Sequence, residues 1–288
     1  MRWQQGRRSE NVEDRRGSGL PVGGLKIGGL GLVIVVVISL LTGQNPLKLL
    51  GLLMEQQQTS QVNVPTPARE GPQPYDEQQE FMSTVLADTE DTWGQIFQQM
   101  GRAYERPKLV LFSTAVQSAC GTSSSAVGPF YCPLDSQVYL DLTFFQELDR
   151  RFGAPGDFAQ AYVVAHEVGH HVQNLLGISD KVHSLQERSG SQEEANSLSV
   201  RLELQADCMA GVWGFYAKQR QILESGDVAE GLAAAAAVGD DRIQQQAGRS
   251  ISPESWTHGS SEMRVSAFNR GFQSGQINSC DTFQSRNQ

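Results

Sequence analysis

"VVAHEVGHHVQ", residues 163–173, holds three of the chain's five histidines within six positions, with Glu167 among them. In a helix, positions four apart lie on one face, one turn above the other, so His166 and His170 can offer two imidazole nitrogens to one ion. Glu167, beside His166, then reaches a water on that ion, the H-E-x-x-H arrangement of zinc hydrolases. His171 is rotated about 100° from His170 and leaves the metal face. The surrounding "FAQAYVVAHEVGHHVQNLLG" predicts a helix that stops at Gly177. A polar helix merely rich in histidine is the alternative, so a further ligand has to decide.

A tetrahedral catalytic zinc uses three protein ligands and a water. In "LSVRLELQADCMAGVW", Glu203 and Asp207 stand four apart, on one face of an otherwise apolar segment. Burying two carboxylates there is costly unless positive charge meets them. Zinc would meet Glu203, and the second N–H of a metal-bound histidine would meet Asp207. Pairing of Glu203 with Arg201 or Arg242 on a solvated face is the other reading. Two histidines and a carboxylate also suit iron and manganese.

Outward from these two segments, helical spacing predicts a helix from Glu80 through "EFMSTVLADTEDTWGQIFQQM" and another over "DVAEGLAAAAAVGDDRIQQQ", with one helical stretch in the tail. "KLVLFSTAV" (108–116) and "SQVYLDLTFF" (136–145) read as strands flanking a Gly/Ser loop. The fold class is α+β, mainly helical, with a small sheet.

The first 26 residues carry a net charge of +3 within a chain of −9, leaving an acidic body that phosphate backbones would repel; no nucleic-acid partner is expected. "IGGLGLVIVVVISLL" (27–41) follows, uncharged and rich in glycine and valine, and reads as one transmembrane helix with the arginines on the cytoplasmic side. No small-x-small pattern closes it, so a retained anchor is expected rather than a cleaved signal peptide. "MEQQQTSQVNVPTPAREGPQPYDEQQ" (54–79) is polar and proline-rich, as a linker would be. The organisation is thus a basic cytoplasmic head (1–26), an anchor (27–43), a linker (44–79) and an extracytoplasmic domain (80–288), periplasmic or on the outer face of a bacterial membrane.

Cys120, Cys132, Cys208 and Cys280 are even in number and lack a C-x-x-C, so two disulfides are expected outside the cytoplasm. Three pairings are possible. Cys120 with Cys132 is favoured because the two flank a short loop, which leaves Cys208 with Cys280.

"AHEVGHHVQ", "VRLELQADCMAGVW", "GDDRIQQQ", "THGSSEMRVSAFNRGF" and "CDTF" together resemble the bacterial "putative neutral zinc metallopeptidase" family, across essentially the whole chain. The resemblance implies a zincin-like, gluzincin-type peptidase domain with one Zn²⁺ on His166, His170 and Glu203, Glu167 being catalytic. The chemistry expected is hydrolysis of a peptide or protein substrate, with Glu167 as general base. His258 is the candidate oxyanion donor, with Arg264 or Tyr162 as substitutes; His183 sits in a polar stretch. A binding or assembly module with a structural zinc, and a zinc amidase on a non-peptide substrate, are the competing functions. The intact Glu167 argues against the former, because a structural site needs ligands but no base.

Overall fold

The computed structural model describes residues 1–17 and 76–283, running in the order β1 (Val12–Asp14), α1 (Glu77–Gln99), β2 (Lys108–Phe112), β3 (Ala115–Ser118), β4 (Gly121–Ser124), β5 (Phe130–Cys132), β6 (Gln137–Asp141), α2 (Phe144–Arg150), α3 (Asp157–Leu175), α4 (Ile178–Gln186), α5 (Gln192–Gln219), α6 (Asp227–Ala237), α7 (Asp240–Gln246) and α8 (Ser261–Ser274). This is the mainly helical α+β class with a small sheet. Residues 1–17 and those from Glu77 onward fall in one compact unit.

Alternation builds the sheet. Its order is β1-β2-β6-β5, with β1, β2 and β6 parallel and β5 antiparallel to β6. Leu109, Leu111, Val138 and Leu140 join the main helical core, while Val110, Phe112 and Tyr139 point the other way and pack with Val116 and Cys132. Successive side chains of a strand face opposite sides, so a sheet covered on both faces needs such continuous apolar runs.

α3 is apolar around most of its circumference because α5, α6 and α1 all pack on it. α5 and α8 meet more closely than side chains allow. A Cβ on Gly271 would lie 1.9 Å from the Cys208 carbonyl oxygen, and one on Gly211 2.1 Å from that of Phe268. Ser191 and Ser260 cap α5 and α8 by accepting from the Glu194 and Met263 amides. Cys208 bonds Cys280, tying α5 to the tail, and Cys120 bonds Cys132, joining the β3-β4 hairpin to β5. Both are the favoured pairs.

The structure departs from the sequence reading in several places. The run 108–116 is not one strand: Thr114 turns with φ 66°, its amide donating to Asp141, and β3 starts a two-stranded ribbon. Asp141 also accepts from the Thr143 amide and hydroxyl, which turns the chain out of β6 into α2 instead of extending the strand to 145. The polar stretch before Ser191 contains α4, held by buried Val182. The alanine-rich helix is broken at Gly239, where a Cβ would lie 2.4 Å from the Ser261 amide nitrogen.

No helix among the described residues is long and apolar enough to cross a membrane, and the anchor expected at 27–43 lies outside them, as does most of the linker. The head does not stand apart: β1 forms the edge of the sheet beside β2. Gly271→Ala should cost about 1–3 kcal/mol through overpacking, which for a domain of this size lowers Tm by at least about 2 °C. Circular dichroism melts of the two proteins measure it.

Candidate metal centre

His166 and His170 project from α3 toward Glu203 on α5. The Nε2 of His166 is 3.2 Å from one Glu203 carboxylate oxygen and that of His170 is 3.3 Å from the other. One ligand atom from each of the three lies within 4.8 Å of the others. Glycine sets the approach of the two helices, since a Cβ on Gly169, inside the H-E-x-x-H turn, would sit 3.0 Å from the Ala206 carbonyl oxygen.

The other ring nitrogens are held from behind. His166 Nδ1 lies 2.8 Å from Asp207 Oδ1, and a carboxylate can only accept, so this nitrogen carries the proton. His170 Nδ1 lies 2.9 Å from Gln173 Oε1, while the Gln173 amide nitrogen donates to the Leu202 carbonyl at 2.7 Å, which fixes the oxygen toward the histidine. Both rings are thereby set as Nδ1–H donors, with Nε2 the nitrogen turned to Glu203. The donor set fits a divalent ion that takes two imidazoles and one carboxylate.

Asp207 is fully buried and serves three partners. It accepts from Arg264 at 2.8 and 2.9 Å, from the Tyr162 hydroxyl at 2.5 Å, and from His166. Arg264 also donates to the Val238 carbonyl at 3.1 Å. Arg264 and Tyr162 therefore sit behind His166, the Tyr162 hydroxyl and all three guanidinium nitrogens of Arg264 making hydrogen bonds there.

Electrostatics reflect a pocket that wants a cation. Burial opposes protonation of His166, but Asp207 and Glu203 outweigh it and raise its pKa to about 10. Burial likewise opposes a proton on His170, and Glu203 overcomes it. Glu203 and Asp207 are held well below the usual carboxylate range although burial pushes them up; His170 and His166 act on the first, Arg264 and His166 on the second. Burial raises Glu167.

The site opens on a cleft of about 910 Å³, within the usual size of ligand pockets. Glu167 and His258 both line it. His258 is on its rim, about half exposed, with Nδ1 3.2 Å from Asp240, whose hydrogen bond raises its pKa against burial. His171 faces away from the metal ligands, between the Tyr131 hydroxyl and the Glu105 carbonyl, and burial lowers its pKa. His183 is exposed beside Glu187. Asp157, Asp227 and Glu230 form a second acidic group, where the Met1 ammonium lies 2.6 Å from Asp157 and 3.5 Å from Asp227.

Sequence reasoning missed Gln173, although its position three residues after His170 puts it on the same side of α3. It also placed Arg264 among oxyanion donors; the structure makes it the buried partner of Asp207, 57 residues away.

Comparison with known proteins completes the picture. The model of the family described as "putative neutral zinc metallopeptidase" matches residues 1–283. This chain belongs to that family. A protein of Escherichia coli K12 named "Uncharacterized protein YpfJ" is 48% identical over 295 residues, covering 98% of this chain and 99% of its own length. "Uncharacterized protein Rv2575" of Mycobacterium tuberculosis H37Rv is 47% identical over 214 residues, 70% of this chain and 71% of its own. "Uncharacterized protein Mb2605" of Mycobacterium bovis matches to the same extent. No solved structure matches the chain. Membership implies zinc as the metal.

Elemental analysis should find near-stoichiometric zinc in the wild type and a trace in His166→Ala, His170→Ala or Glu203→Ala. Asp207→Asn and Gln173→Leu should keep zinc but bind it about 10–100-fold more weakly in chelator competition. Equal affinity in both variants would remove the orienting role assigned to these side chains.

Proposed function

We propose that the protein is a zinc-dependent endopeptidase, tethered to a membrane through its apolar run, with Glu167 as general base and His258 as oxyanion donor. The observation that carries this reading is the convergence of His166, His170 and Glu203 on a cleft that Glu167 also lines. His166, His170 and Glu203 would hold the zinc ion, which would supply Lewis acidity for a carbonyl and for the attacking water. Glu167 takes the proton of the attacking water and passes it to the leaving amine. Asp240 accepts from Nδ1–H of His258 and raises its pKa, and in the imidazolium form Nε2–H is a donor for the oxyanion, whereas the Tyr162 hydroxyl donates to Asp207 and Arg264 donates to Asp207 and Val238 behind His166.

The cleft suits a peptide chain. β5 ends the sheet among the described residues, and its Phe130 and Tyr131 line the cleft, so an extended substrate can pair along that strand while its side chains meet apolar walls such as Phe144 and Phe152. A purely structural zinc would need neither the cleft nor a carboxylate beside the ligands.

Cleavage of casein by the zinc-loaded protein should fall about 10²–10⁴-fold in Glu167→Gln and about 10²–10³-fold in kcat in His258→Ala, both retaining zinc. Undiminished cleavage by zinc-loaded Glu167→Gln rejects the mechanism. No cleavage of any protein substrate by the zinc-loaded wild type favours an amidase or a binding module.

A further inference from the structure

The basic head reads in the sequence as the cytoplasmic flank of a membrane span, yet its residues 1–17 are built into the metal-bearing unit. Val12, Glu13 and Asp14 pair in parallel register with Leu109, Val110 and Leu111 of β2. On either side of that strand the Leu109 amide donates to the Asn11 carbonyl at 2.8 Å and the Arg15 amide to that of Leu111 at 2.7 Å. Ser9 and Ser83 exchange two hydrogen bonds, at 3.1 and 3.0 Å. Trp3 is buried in the main core and meets Phe81 edge to face, with ring centroids 5.3 Å apart.

The electrostatics give the same placement from a second direction. Glu90 of α1 has a fully buried carboxylate, and the close hydrogen-bond donors to it come from the head: Arg7 at 2.9 Å, the Ser9 hydroxyl at 2.6 Å and the Asn11 amide at 2.7 Å. Arg106 of the domain is farther, at 4.0 Å, and exposed. With the head withdrawn, Glu90 would be a carboxylate in the core without its hydrogen bonds, and the edge of β2 would be left unpaired. The head's arginines are used in the same way. Arg2 meets Glu224, Arg7 meets Glu90 and Asp91, and Arg8 meets Glu80, while Arg15 and Arg16 pair with Glu13 and Asp14 of β1. The arginine charge that suggests a cytoplasmic flank therefore has its partners within the folded unit.

Topology then follows by parity. A segment whose two ends belong to one folded unit must leave and return on the same side of any bilayer it enters. We infer that the head and the metal-bearing domain lie on the same side of the membrane, so that residues 18–75 cross it an even number of times, zero included, and not once. The head is a strand of the peptidase unit, and the apolar run is an insertion in that unit.

Two measurements on the full chain in cell membranes test this. A Cβ on Gly6 would lie 3.9 Å from the Thr84 Cβ, inside the disulfide range of about 3.5–4.5 Å. The Gly6→Cys/Thr84→Cys protein should yield a reducible peptide linking residues 6 and 84 in mass spectrometry. Because the four native cysteines are paired, single Gln5→Cys and Glu193→Cys variants carry one reactive thiol each. Both should react with a membrane-impermeant maleimide under the same condition, either in intact spheroplasts or only after permeabilisation. Labelling of one before permeabilisation and of the other only after it overturns the inference, as does a zinc-binding double variant without the linked peptide. If the double variant fails to fold, the labelling pair decides alone.

Discussion

The buried carboxylate of Asp207 organises this molecule. It lies on α5, receives the imidazole of His166 from α3 and the guanidinium of Arg264 from α8, and takes a further hydrogen bond from Tyr162. A charge with no solvent access is tolerable only when several donors surround it, so three helices must meet at this point in one arrangement. That arrangement also aims the Nε2 of His166 at Glu203. The contact that orients a candidate metal ligand is the contact that locks the helices together.

Close backbone packing makes the convergence possible. Gly169 lets α3 approach α5 at the ligands, and Gly211 with Gly271 lets α5 approach α8 until backbone atoms of each touch the other. The Cys208–Cys280 bond lies one residue from Asp207 and brings the tail to α5, where Gln205 donates to the Cys280 carbonyl and accepts from Gln173. A chain of side-chain contacts thus runs from the tail disulfide to His170. The second candidate ligand, His170, is held as the first is, with a neutral amide in place of the carboxylate.

The sheet serves the site from its other side. β5 borders the cleft at one edge, while β1 closes the opposite edge with residues from the start of the chain. Sheet edges carry unpaired backbone groups. Here the β5 edge lines the cleft, and at the opposite side the head pairs with β2.

His166, His170 and Glu203 were legible in the sequence because helical periodicity puts residues four apart on one face, and because carboxylates in an apolar segment demand a partner. The helices around them, the strand cores and the favoured cysteine pairing were legible for related local reasons: period, composition and loop length. Gln173 stood within reach of the same reasoning, on the side of α3 that bears His170. The break at Thr114 and the turn into α2 were not, since both depend on Asp141 accepting from residues on two separate segments. Nor was the pairing of Arg264 with Asp207, or the docking of the head. An arginine-rich start before an apolar run looks the same whether its charges face phospholipid or Glu80, Glu90 and Glu224. Local pattern fixed which residues could bind a metal, while long-range charge burial, which no window of sequence contains, decided what surrounds them and on which strand the chain begins.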